Sequence, residues 1–162
     1  MPIRHIEVSL AQQRLRLLED GRVLREYRVS TAANGPGEVS GSECTPRGRH
    51  RIRIKIGAGC PESTVFVGRR PTGESYTLAL RDEHPGRDGI LTRILWLTGL
   101  EPGENRGGTV DTLRRYIYIH GAPDDIPMGQ AGSHGCIRMR NREVIDLFDL
   151  VEAGTLVRID ND

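Results

Sequence analysis

Ile6, Val8 and Leu10 alternate with polar residues near the start of the chain, and Leu15 and Leu17 repeat the pattern. Side chains at i and i+2 share one face of a strand, so this period of two predicts half-buried strands. Asp20-Gly21 between such runs is a hairpin signal, and Val23, Arg25, Tyr27 and Val29 form the strand that returns. Asn34 to Ser42 is loop by composition. The run HRIRIKI then alternates Ile52, Ile54 and Ile56 with basic residues, a strand with one wet face. Thr64 to Gly68 and Tyr76 to Leu80 are shorter strand candidates. The irregular stretch from Gly86 to Asp111 is interrupted by the apolar run Ile90 to Leu97, and Leu100 to Gly108 within it is a surface loop and a candidate lid. Tyr116 to Ile119 has strand character and ends at His120. Asn141 suits an N-cap, and Val144, Leu147, Phe148 and Val151 at i, i+3, i+4 and i+7 predict an amphipathic helix ending at Gly154. Thr155 to Ile159 closes the chain as a strand.

Composition sharpens this into one β-rich domain. A chain of 162 residues buries a sizeable core, and 20 glycines with 9 prolines call for many turns. No repeat or linker marks a boundary. The formal net charge of +1 gives no electrostatic case for nucleic acid. No apolar run has the length of a signal peptide or a membrane span, so the expectation is a cytoplasmic protein, or a periplasmic one whose export signal has been removed. Cys44, Cys60 and Cys136 are an odd number, which is no disulfide framework and suits a reducing compartment.

The candidate chemistry lies in Ser133-His134-Gly135-Cys136, with His120 sixteen positions upstream. A thiol attacks as thiolate and needs an imidazole or positive partial charge close by. The Gly, Pro and Asp residues after His120 let the chain turn back and set Cys136 beside it. Gly135 permits a backbone closed to bulkier residues, with the amides near Gly135 and Cys136 available to an oxyanion. If Cys136 is so activated, it alkylates fast near neutral pH, whereas a buried structural cysteine does not. Ser133 either bonds an imidazole or shapes the turn; His134 either tunes the thiolate or touches substrate. His120, His134 and Cys136 are zinc-type residues, but His134-x-Cys136 lacks the usual ligand spacing and no fourth ligand is evident, so no metal or cofactor is expected. Asp124 and Asp125 are adjacent loop acids and read as turn formers. Trp96, the single tryptophan, reads as a packing residue rather than a cleft wall.

The stretch HGAPDDIPMGQAGSHGCIRM resembles the signature of the YkuD-type L,D-transpeptidases: His120-Gly121, Gly129, and Ser133 through Met139. Thr45-Pro46-Arg47-Gly48 is similar to the family's Thr-Pro-x-Gly turn, and the likeness runs from Ile3 to Ile159, most weakly over Gly57 to Arg115. The resemblance implies a mixed β-sandwich with a helix packed near the C-terminus. It implies Cys136 as acyl carrier, His120 as general base, and Ser133, His134 and Gly135 around them. It puts Arg138, Gly121 and Gly129 on the substrate side, with the Arg138 guanidinium matched to a stem-peptide carboxylate or else held in a structural salt bridge. The implied partners are peptidoglycan stem peptides or muropeptides, cleaved before a terminal D-alanine through a thioester. Hydrolysis of recycled muropeptides is the expected outcome; the alternatives are cross-linking by an exported enzyme and a module that binds wall fragments without turnover.

Overall fold

The alternating runs become strands of one mixed sheet. The computed structural model describes residues 2–162. Strands β1 (Arg4–Ser9), β2 (Arg14–Glu19) and β3 (Arg22–Arg28) are an antiparallel meander. Asp20 and Gly21, both at positive φ, make the tight turn between β2 and β3. The strands β4 (Gly48–Ile56), β5 (Thr64–Val67), β6 (Arg70–Ser75), β7 (Leu91–Gly99), β8 (Tyr118–Gly121), β9 (Ile137–Met139) and β10 (Leu156–Asp160) complete it. The ladder runs β3-β2-β1-β10-β4-β7-β5-β6, with β8 joined to β7 and β9 joined to β8. The closing strand β10 pairs parallel to β1 and antiparallel to β4, so both ends of the chain share the centre of the sheet. Beyond β3, Ser30 exchanges two backbone hydrogen bonds of 2.9 Å with Arg138 at β9, which curls the sheet back on itself. The expected strand-rich sandwich with a packed helix is what the chain adopts.

Helix α2 (Asn141–Leu150) lays Val144, Leu147 and Phe148 into the main core beside Ile6, Leu15 and Leu17. The chain's only lysine, Lys55, donates from Nζ to the carbonyls of Phe148 and Val151 at 2.7 Å each, closing the helix's C-terminal end with positive charge.

Three local expectations are corrected. Tyr76 to Leu80 is not a strand: β6 ends at Ser75, and Thr77 caps a short helix, α1 (Leu78–Glu83), its hydroxyl accepting from Leu80 N at 3.0 Å. A capping threonine competed successfully with the apolar alternation. Asn141 is the first helical residue and not the cap; Arg140 sits there without a side-chain cap. Instead, Asn141 accepts from the Thr92 hydroxyl at 2.6 Å and donates to Ala122 O at 3.0 Å, tying α2 to the end of β8. Leu100 to Gly108 is packed down and not a lid: fully buried Asn105 donates to the carbonyls of Arg47 and Arg49 at 3.0 and 3.1 Å.

His50 on β4 is buried in this fold and carries a testable consequence. A carbonyl only accepts, so Nδ1 donates to Gly48 O (3.0 Å) and Nε2 accepts from the Thr112 hydroxyl (3.0 Å). Burial pushes its pKa down from 6.5 to about 4, with the Gly48 carbonyl opposing. The folded state therefore binds fewer protons than the unfolded state in that window. Stability should be level above the ordinary histidine value and fall as pH drops towards 4. His50→Gln should be less stable at pH 7 but lose less between pH 6.5 and about 4, read from urea midpoints. Parallel loss in both proteins would remove His50 from the acid response.

Candidate active site

Strand alternation builds the site. On β8 and the residue before it, Ile117 and Ile119 point into the main core, and so do Ile137 and Met139 on β9. The residues between them, Tyr118, His120, Cys136 and Arg138, take the opposite face and line one cleft of about 460 Å³. The two strands are parallel with Ile119 opposite Ile137 and His120 opposite Arg138, so Cys136 comes level with Tyr118. The strand begins at Tyr118 and not at Tyr116, which has φ +56° in the turn before it.

Burial works on the thiol and the imidazole alike, favouring the neutral form of each. Cys136 Sγ accepts from Tyr118 N at 3.3 Å and donates to Tyr116 O at 3.4 Å. Desolvation raises its pKa to about 12; the Tyr118 amide and the Arg115 and Arg138 cations oppose this without reversing it. His120 is only 3% exposed, and burial, with the Arg138 cation adding, lowers its pKa to about 4. Its Nδ1 donates to Gly121 O at 2.6 Å, which fixes the tautomer and leaves Nε2 with the lone pair. Desolvation thus favours the uncharged form of both groups at rest.

The turn before Cys136 is held from two directions. Ser133 Oγ donates to Cys136 O at 2.6 Å and accepts from Gly135 N at 3.2 Å, so its part is to shape the turn. Of the two amides expected to receive an oxyanion, Gly135 N is thereby occupied and Cys136 N remains. Gly135 has φ +133°, and a Cβ there would come within 3.2 Å of Cys44 O and of Ile117 Cδ1, so only glycine fits. Buried Thr45 accepts from Ala32 N at 3.0 Å and donates to Gly135 O at 2.8 Å, pinning the nucleophile turn to the Thr-Pro-Arg-Gly segment. Cys44 thus lies beside the turn through its backbone, while Cys60 packs in a second apolar cluster with Phe66, Ile94 and Tyr118.

The other expected residues divide. Arg138 lines the cleft half-buried; Nη2 donates to Ser30 Oγ at 2.9 Å, and the guanidinium has no acidic partner among the described residues. His134 is exposed on the rim, its Nδ1 3.3 Å from Asp88 Oδ1. Gly121 and Gly129 do not line the cleft. A Cβ on Gly121 would lie 2.4 Å from Asn141 Oδ1, so this glycine allows α2 to approach β8, and its carbonyl orients His120. Gly129, at φ +86°, donates to Val29 O at 2.9 Å in the loop behind the site. Trp96 backs the cleft without lining it: its Nε1 donates to Leu113 O at 3.0 Å, and its ring packs 5.9 and 5.8 Å from Tyr116 and Tyr118.

Several cleft residues escaped the sequence reading. Arg115 ties down the loop before Thr45, donating to Cys44 O at 2.7 Å and to the Gly37 and Glu38 carbonyls at 3.3 Å. Arg69, Arg87 and Asp88 arrive from the aperiodic middle of the chain, where no spacing signals a site. Tyr118 was detectable, because it shares the strand face of His120.

Comparison with known proteins identifies the family. The family model for the YkuD L,D-transpeptidase catalytic domain matches residues 3–159. The chain belongs to this family. It is 43% identical over 155 residues to the putative L,D-transpeptidase YkuD of Bacillus subtilis, covering 96% of this chain and 65% of that protein. To the putative YkuD of Bacillus licheniformis it is 28% identical over 158 residues, covering 95% and 64%. The chain thus spans a little under two thirds of these relatives. Among solved structures, L,D-transpeptidase 3 from Mycobacterium tuberculosis superposes with TM-score 0.59 at 17% identity, covering 98% of this chain and 61% of that one. The L,D-transpeptidase from Mycobacterium smegmatis gives 0.56 at 17%, covering 98% and 59%. These two share the YkuD fold with this chain.

The neutral pair in this YkuD domain predicts how the resting thiol responds to pH. Alkylation of Cys136 by iodoacetamide should be slow at pH 7 and climb steadily through pH 9, without a plateau, because only the trace thiolate reacts. A plateau beginning near pH 6 would instead reveal a standing thiolate–imidazolium pair.

Proposed function

We propose that this domain is a cysteine acyltransferase that cleaves peptidoglycan stem peptides before a terminal D-alanine, with water as its principal acceptor. The observation that carries the reading is the placement of Cys136 and His120 on one face of adjoining strands, in one cleft, with His120 Nδ1 held by Gly121 O so that Nε2 is the basic nitrogen. As Sγ attacks the carbonyl carbon of the third stem residue, its proton passes to Nε2. Burial, which pushes the imidazole pKa down to about 4, makes the imidazolium a better acid than an ordinary one and suits it to hand that proton to the leaving amine of D-alanine. Cys136 N–H faces the developing oxyanion. The thioester then takes water, which gives a proton back through His120, releases the tripeptide acid and restores the thiol. A guanidinium without an acidic partner, Arg138, supports its assignment to a substrate carboxylate.

Water is favoured as acceptor because the cleft is open and a bound amine must compete with solvent at about 55 M, unless the site is kept dry. Three free thiols suit a reducing cytoplasm, where recycled soluble muropeptides are the available substrate. The exported cross-linking reading would prevail if the full-length protein were recovered from the periplasm.

A disaccharide-tetrapeptide incubated with and without a soluble amine tests the assignment by mass spectrometry of the products. Tripeptide and D-alanine should dominate in both cases. His120→Ala should slow their release by about 10²–10⁴-fold, the range for losing a general base, and His134→Ala by clearly less. Amine-linked dimers as the main product would overturn the choice of water, and equal losses in the two variants would overturn the assignment of the base.

A further inference from the structure

A second cation faces the same cleft from the hairpin joining β5 and β6, and nothing in the proposed chemistry has used it. Val67 pairs with Arg70, so Gly68 and Arg69 form a two-residue turn, with φ of +57° and +65°. Glycine takes that backbone readily; arginine does not. The turn carries Arg69 against the aromatic wall. Its guanidinium carbon lies 4.6 Å from the centre of the Tyr116 ring and 5.2 Å from that of Trp96, and Nη1 donates to Tyr118 Oη at 3.2 Å. Stacking on two rings holds a planar cation in place before any ligand arrives.

Tyr116 and Tyr118 are also the residues whose backbone O and N hold Cys136 Sγ. Arg69 is therefore docked on the segment that carries the nucleophile. Four arginines line the cleft, and their circumstances differ. Arg87 is paired with Glu74 at 2.8 Å, and Arg115 spends its donors on loop carbonyls. Arg138 bonds Ser30 at the cleft's inner end. Arg69 has no acidic partner among the described residues, and one hydroxyl occupies one of its five N–H groups.

We infer that Arg69 is a specificity residue that binds the C-terminal carboxylate of the leaving amino acid, so that the domain acts on peptides ending one residue after the cleaved bond. This rests on the function proposed above and names the group that confers exopeptidase selectivity. A rigid fork with open donors on the wall of the nucleophile's cleft matches a carboxylate one residue beyond the attacked carbonyl. Arg138 is left for a carboxylate on the retained, acyl side.

The test compares tetrapeptide ending in a free carboxylate with the same peptide as its C-terminal amide, using wild type, Arg69→Gln and Arg69→Lys. Wild type should favour the acid by about 10- to 100-fold in kcat/KM, the range for a charge-assisted pair. Arg69→Gln should lose activity on the acid alone, bringing the ratio towards one; Arg69→Lys, with charge but no fork, should fall between. A residue that only braces the hairpin would lower both substrates equally, and that result overturns the inference. A second readout needs no turnover: the ratio of Cys136 alkylation rates by iodoacetate and iodoacetamide, which measures positive charge beside the thiol. It should fall severalfold in Arg69→Gln, and an unchanged ratio also overturns the inference. If wild type cleaves neither peptide, the proposed function fails, and the alkylation ratio alone decides whether Arg69 is an anion site.

Discussion

Period-two alternation on two short parallel strands is the constraint on which the site depends. Because Ile117, Ile119, Ile137 and Met139 must be buried, Tyr118, His120, Cys136 and Arg138 are obliged to face the other way. Apolar burial at about 25 cal/mol per Å² is what fixes the register, since a slip of one residue would put the isoleucines in the cleft and the histidine in the core. The chemistry thus takes its geometry from hydrophobic side chains packed in the core. The same logic explains the neutral resting state. Burial at the floor of the cleft desolvates both groups, raising the thiol and lowering the imidazole.

Long-range hydrogen bonds then convert a strand pair into a nucleophile turn. Thr45 reaches Gly135, Ser133 holds Cys136, and Asn141 bridges Thr92 to Ala122, so segments distant in sequence meet around a few peptide units. Each of these side chains is buried, where an unpaired polar group would cost about 1–3 kcal/mol. That cost makes the arrangement specific: the turn, the base and the helix start are satisfied together or not at all.

Much of this was legible in the amino-acid order. The strands through Ile6, Leu15, Ile52 and Ile159, the turn at Asp20-Gly21, and the apolar stripe of α2 all follow from local periodicity. So did the placing of His120 and Cys136 in one cleft, on motif and resemblance. What stayed hidden depended on partners. Asn141 bonding sideways and Gly121 admitting a helix are decided by residues tens of positions away, whereas the Thr77 cap is a local signal that competed with the apolar alternation around it. Arg69 and Asp88 come from a stretch without period, placed by turns and not by alternation. Desolvation of the thiol is likewise not displayed by sequence, and it raises the Cys136 pKa against the pull of the neighbouring cations.

The central claim is that Cys136 carries the acyl group, and trapping that intermediate tests it most directly. Wild-type protein mixed with tetrapeptide and quenched in acid within milliseconds should show, by peptide mapping, a mass increase equal to the tetrapeptide less D-alanine. The increase should sit on the fragment containing Cys136 and disappear with hydroxylamine. Turnover with no such adduct, or an adduct on Cys44 or Cys60, would contradict the account.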